Sequence, residues 1–192
     1  MEQDMADEQP QGNGQGAAQQ GEQPKQQFQI AKLYLKDVSL ETPNSPEVFT
    51  GEWKPQVNVD LTSKTRALQE GHYEVALTVT VTAKQGEKTA YLCEVTQAGV
   101  FQIKGFEDAA RNGLLGAYCP AQLFPYVRET VNSLITQGGF PAMVLQPVNF
   151  DALYQQRLAQ AAERQKAEQA QGGGAEAKGS DSTAAQGSDT QQ

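Results

Sequence analysis

Between residues 73 and 82 the chain alternates with period two, Tyr73, Val75, Leu77, Val79 and Val81 against Glu74, Ala76, Thr78, Thr80 and Thr82. That period puts the large apolar side chains on one face and the small or polar ones on the other. It predicts a strand of an antiparallel sheet with one buried and one solvated face. Phe28, Ile30, Leu33 and Leu35 mark another strand over 28–41, and the phase slip between Ile30 and Leu33 predicts a bulge or bend. Val57, Val59 and Leu61 open a third. After the turn Gln85-Gly86-Glu87, Tyr91, Cys93 and Val95 lead on to Val100, Phe101 and Ile103, completing a meander-like unit of four strands with Gly99 and Gly105 as breaks. Between the first two strands, residues 42–56 hold Pro43, Pro46, Gly51 and Pro55 around Val48, Phe49 and Trp53. This reads as a long irregular loop with large apolar side chains, a length usually tied to function.

Beyond Gly105 the apolar period lengthens. Leu123, Val127, Val131, Leu134 and Ile135 recur at three- and four-residue steps, which predicts a helix opening at Pro120, where a missing N–H costs nothing. Pro125 is expected to bend or interrupt it, and Gly138-Gly139 to end it. Asn149 as N-cap, with Asp151 in the first turn, opens a last helix carrying Phe150, Leu153, Tyr154 and Leu158. Strands followed by helices give an α+β fold: a four-stranded antiparallel sheet followed by two main helices packed on one face. Apolar side chains left over on such a unit ask for a second subunit.

Composition divides the chain. Residues 1–27 form an arm rich in Gln, Gly and acids without an aromatic residue, and 158–192 an Ala/Gln/Gly-rich tail, expected to be disordered or a frayed helix. The folded domain is expected over 28–157. Of the net charge of −8, the arm contributes one lysine against five acids, and residues 28–154 ten basic against thirteen acidic side chains. Negative charge argues against a phosphate backbone as partner, permits a basic one, and also serves plain solubility. No apolar run approaches the roughly 18–20 residues of a membrane span, so a soluble cytoplasmic protein without membrane insertion is expected. Cys93 and Cys119 form no Cys-x-x-Cys pair and are expected as reduced thiols.

The candidate chemistry is sparse. Cys119 precedes a helix start, where the dipole favours thiolate, which makes a thiol enzyme one reading; yet the single histidine, His72, sits in an unrelated turn. One histidine and two scattered cysteines make no metal site, Glu107-Asp108 is a solvated acidic pair, and Gly12-Asn13-Gly14-Gln15-Gly16 follows no strand and opens no helix. No enzyme activity, cofactor or metal is expected. Binding by apolar surface is the remaining chemistry. Val48, Phe49 and Trp53 of the loop, with Leu114, Leu115 and Tyr118 and then Leu123, Phe124 and Tyr126, can line a long groove, since large rings bury much area with few rotors to freeze. Each of these residues equally suits an ordinary core position.

Several dispersed segments point to one family. Phe28-Gln29-Ile30, Lys36-Asp37-Val38-Ser39, Glu41 to Pro46 with Val48-Phe49, Trp53-Lys54-Pro55, Tyr73-Glu74-Val75, Val79 to Ala83, Leu92-Cys93-Glu94-Val95 and Gly116-Ala117-Tyr118-Cys119-Pro120 resemble, in order and spacing, the SecB family of bacterial export chaperones over about 28–155. The resemblance implies an ATP-independent chaperone that binds unfolded preproteins, keeps them translocation-competent and delivers them to the ATPase SecA. It implies a homotetramer, a dimer of dimers with helices between sheets, and carries Cys93, Val95 and Gln97 over as inter-dimer residues. It singles out Trp53, Tyr118 and Phe124 in the client groove. It also gives Asp37, Glu41, Leu92 and Glu94 as the sheet face that meets the basic, zinc-binding C-terminal segment of SecA. A related module serving another client, such as an antitoxin, is the alternative. The arm and tail are longer and richer in Gln, Gly and Ala than the family pattern.

Overall fold

The computed structural model describes residues 25–172. The glycine-rich run 12–16, most of the arm and the end of the tail lie outside these residues. Four strands, β1 (Gln27–Glu41), β2 (Gln56–Gln69), β3 (His72–Gln85) and β4 (Lys88–Lys104), form one antiparallel sheet in the order β1-β4-β3-β2. β2, β3 and β4 are a true meander. β1 joins at the free edge of β4 rather than beside β2, so the loop after β1 must cross three inter-strand spacings, about 14 Å. That crossing is why so long a loop exists.

The expected bulge lies between Ile30 and Lys32, and a second register shift follows between Leu35 and Asp37. Gly99 does not break the sheet: β4 runs through it in register with Leu33 and Val75. Its role is close packing, since a Cβ there would lie 2.9 Å from side-chain atoms of Leu33 and of Phe101. Gly105, at a φ of 72°, does end the strand.

Helix begins earlier than Pro120. α1 (Asp108–Gly113) passes through one π-helical turn, Leu114–Tyr118, into α2 (Cys119–Gln137). Pro125 neither ends nor interrupts α2; it is exposed, where water can take the carbonyl it leaves unpaired. α2 lies across β3 and β4 and buries Leu123, Val127, Val131 and Ile135 completely against Val79, Val81, Cys93 and Val95. Each aliphatic side chain so buried contributes about 1.5–3 kcal/mol. Gly138 caps α2 and Gly139, at φ 86°, turns the chain back. α3 (Phe150–Gly172) is capped as expected, the Asn149 carboxamide oxygen accepting from the Ala152 N–H at 2.9 Å. It docks on the π-turn, where the Tyr154 ring fills the space over Gly116. α3 continues to Gly172, well into the compositional tail, with every described side chain from Gln155 onward exposed. Ala, Gln, Glu and Lys extend a helix already nucleated at its anchored end.

Candidate functional site

The helix-side surface carries an apolar groove built by segments distant in sequence. The crossover loop supplies Val48, buried, with Phe49 and Trp53 beside it. Asn44 Nδ2 donates to the Thr89 carbonyl at 2.9 Å, and the Lys54 N–H to Gln85 Oε1 at 3.1 Å, so the loop is strapped to the β3–β4 hairpin. Phe140, just after α2, packs against Phe49 at 5.0 Å, Trp53 at 5.4 Å and Tyr91 at 4.8 Å between ring centroids. From this aromatic cluster the segment 141–149 runs on. The Tyr91 hydroxyl reaches Met143 Sδ at 3.7 Å, and the Met143 N–H donates to Asn132 Oδ1 at 3.1 Å, fixing the segment to α2. Met143 then lines a cavity of about 270 Å³ with Val59, Phe124, Val144, Leu145 and Val148. Phe124 is held there by Phe150, edge-on at 5.6 Å, and by the Arg128 guanidinium 5.0 Å over its ring. Large apolar groups stay open along this path: Phe49 is 48 % exposed and Val144 65 %.

The residues picked from sequence divide among several places. Val48, Phe49, Trp53 and Phe124 belong to this groove, whereas Leu123 is wholly buried under α2. Leu114 and Tyr118 line a different cavity of about 590 Å³ between α1, the π-turn and α3, with Tyr118 edge-on to Phe28 at 5.1 Å. Leu115 is buried and Tyr126 exposed on α2. Sequence reasoning missed Val59, Tyr91, Phe140, Met143 and Val144. The apolar positions in Phe140-Pro141-Ala142-Met143-Val144-Leu145 were a visible signal, but without periodicity they read as connection.

Among the described residues, no helix packs on the opposite sheet face. Register places Asp37 beside Thr96, Ser39 beside Glu94 and Glu41 beside Leu92, so Asp37, Glu41, Leu92 and Glu94 share that open face. Glu94 accepts from the Thr80 hydroxyl at 2.8 Å. Among the described residues, no ion pair engages Asp37, Glu41 or Glu94. On the same face Glu74 is buried and held by Lys36 Nζ at 2.7 Å, Arg66 Nη2 at 3.1 Å and the Tyr34 hydroxyl. The hydrogen bonds from Lys36 and then Tyr34 hold its carboxyl below the usual range against the upward pull of burial.

Cys93, Val95 and Gln97 point the other way, into the core beneath the helices, the first two fully buried. Both thiols are buried, and burial pushes Cys93 up to about 11 and Cys119 up to about 12, which disfavours the reactive thiolate. His72 Nδ1 lies 3.1 Å from the Glu70 carbonyl in its own turn. This opposes the thiol-enzyme reading. Glu107 and Asp108 are both exposed, as expected, and Asp108 makes a surface ion pair with Arg111 at 3.0 Å. No helix among the described residues is long and apolar enough to cross a membrane.

Comparison with known proteins gives consistent findings. The family model described as preprotein translocase subunit SecB matches residues 20–161. The chain is 56 % identical to a protein-export protein SecB of Halorhodospira halophila over 76 % of this chain and 84 % of that one. It is 57 % identical to that of Methylococcus capsulatus over 73 % and 91 %. Among solved structures it is similar to a Mycobacterium tuberculosis SecB-like chaperone in complex with an antitoxin peptide, at a TM-score of 0.51 and 17 % identity, covering 63 % of this chain and 90 % of that one. At that identity the likeness concerns the fold.

Proposed function

The chain belongs to the SecB family of preprotein translocase subunits, and from that premise we propose that it is an ATP-independent cytoplasmic chaperone that holds non-native preproteins in the apolar groove and delivers them to SecA. The observation that carries the reading is the apolar path from Phe49 and Trp53 through Phe140 and Met143 to Phe124 and Val144, in which the buried rings of Phe140 and Phe124 support the exposed Phe49 and Val144. Rings and a flexible thioether accept many apolar side chains without fixed hydrogen-bond geometry. Several such contacts along one extended client add through effective concentration, so each can be weak and release stays possible. Slowly folding chains expose apolar segments long enough to be caught.

Delivery uses the other face. Asp37, Glu41 and Glu94, with Leu92 among them, receive the basic zinc-binding C-terminal segment of SecA, and long-range attraction speeds the encounter. The assembly is a homotetramer, a dimer of dimers. Cys93, Val95 and Gln97 act on it from below, by seating α2, whose outer surface carries the exposed Tyr126. The relatives with more than half of their matched residues identical are named for protein export, which favours preproteins over an antitoxin as clients.

The test is dilution of a denatured model preprotein into buffer with and without this protein, followed by light scattering. The wild-type protein should suppress aggregation without nucleotide, and a Trp53→Ala/Val144→Ser variant should lose most of that effect. Unchanged aggregation with the wild type would refute the chaperone reading.

A further inference from the structure

The open sheet face is divided by charge, and one buried carboxylate sits at the division. The bulge between Leu35 and Asp37 turns Lys36 toward the face that Asp37 occupies; the two line one shallow cavity with Lys64, Arg66 and Glu74. A lysine next to the docking acid would ordinarily neutralise it. Here it is drawn away. Glu74, two strands over, takes Lys36 Nζ at 2.7 Å and Arg66 through Nε at 3.2 Å and Nη2 at 3.1 Å. The path is open because the residues beneath, Ala98 on β4 and Ala76 on β3, are small. The Tyr34 hydroxyl closes the cluster on Glu74 Oε1.

We propose that Glu74 is a positioning residue for partner docking: it holds Lys36 off Asp37, so that the acidic row of Asp37, Glu41 and Glu94 meets a basic segment uncompensated. The inference rests on the docking role proposed above. A carboxylate with both oxygens engaged by three donors is a stronger trap for Lys36 than exposed Asp37, which makes none of these bonds. Glu74 itself, only 5 % exposed, is closed to a partner and acts through the lysine.

A double-mutant cycle tests this. Binding of the zinc-loaded C-terminal SecA peptide would be measured by calorimetry for the wild type, Glu74→Gln, Lys36→Met and the double variant, with client holding as a folding control on the opposite face. Glu74→Gln should weaken the peptide about fivefold, Lys36→Met alone should change it less than about twofold, and the double variant should return to near wild type. Equal effects of Lys36→Met in both backgrounds would show simple long-range charge and overturn the clamp. A crystal structure of Glu74→Gln gives a readout independent of docking: Lys36 Nζ should move to within ion-pair distance of Asp37, and its staying away overturns the proposal. A wild-type protein that fails to bind the peptide would refute the docking role, leaving the lysine's position in that crystal structure to decide whether Glu74 restrains it.

Discussion

Phe140 and Trp53 meet with their ring centroids 5.4 Å apart, joining the segment that follows α2 to the loop that crosses the sheet. Neither segment has regular structure at the contact, so each relies on the other to hold the groove open. Trp53 is the single tryptophan of the chain, and its emission reports on that contact. Phe140→Ala should cost about 3–5 kcal/mol, since Phe140 is buried, and shift the Trp53 emission to longer wavelength. Client binding to the wild type should shift it the other way. Urea titration and fluorescence spectra check both, and an unmoved spectrum in Phe140→Ala would contradict the packing described.

Gly116, in the π-turn, lies directly under Tyr154 of α3. A Cβ there would overlap the Tyr154 ring. Gly116→Ala should therefore displace the start of α3 and cost about 1–3 kcal/mol through overpacking. Adding Tyr154→Leu should recover part of the loss by making room. Paired urea unfolding curves of the two variants provide the comparison.

The two thiols give the protein an alkaline limit. Both are raised from 9.0 in the folded chain, to about 11 for Cys93 and about 12 for Cys119. The unfolded chain therefore releases these protons first. Their contribution is complete below about pH 9 and falls as pH rises toward 11–12, by at most about 1.4 kcal/mol per thiol per pH unit. Native protein at pH 8 should react with a thiol-specific disulfide reagent only on unfolding. Cys119→Ala should keep full client-holding activity; its loss would revive the thiol as a functional group.

The surfaces proposed for docking and for holding lie on opposite faces, so the two activities should separate by mutation. Asp37→Asn/Glu94→Gln should weaken binding of the SecA peptide about tenfold at low salt and much less at high salt. Suppression of preprotein aggregation should be unchanged. Calorimetry across a salt series beside light scattering measures the pair, and coincident loss of both would argue against separate surfaces.

Much of this protein was legible from sequence because the signals were local. Alternation over 73–82 defined β3 and its buried face, the phase slip after Ile30 located a bulge, and Asn149 and Gly138 marked helix ends. Each depends on residues a few positions apart along one backbone. The dispersed matches to the SecB family added what spacing alone does not encode. Local pattern misled where packing overruled propensity: Gly99 read as a break but serves a close approach of Leu33 and Phe101, and Pro125 read as an interruption but lies on the wet side of α2.

The groove and the clamp belong to the tertiary structure. Phe49, Tyr91, Phe140, Met143 and Phe124 come from four stretches of chain, and only the placement of β1 beside β4, with the loop drawn across the sheet, brings them into line. Tyr118, adjacent in sequence to the α2 residues, is carried to another cavity by the π-turn. Lys36 and Glu74 lie 38 positions apart, and strand register together with one bulge makes them partners. Sequence periodicity states which face of an element is apolar; which faces meet is decided by the free energy of burying them together, a property of the whole chain.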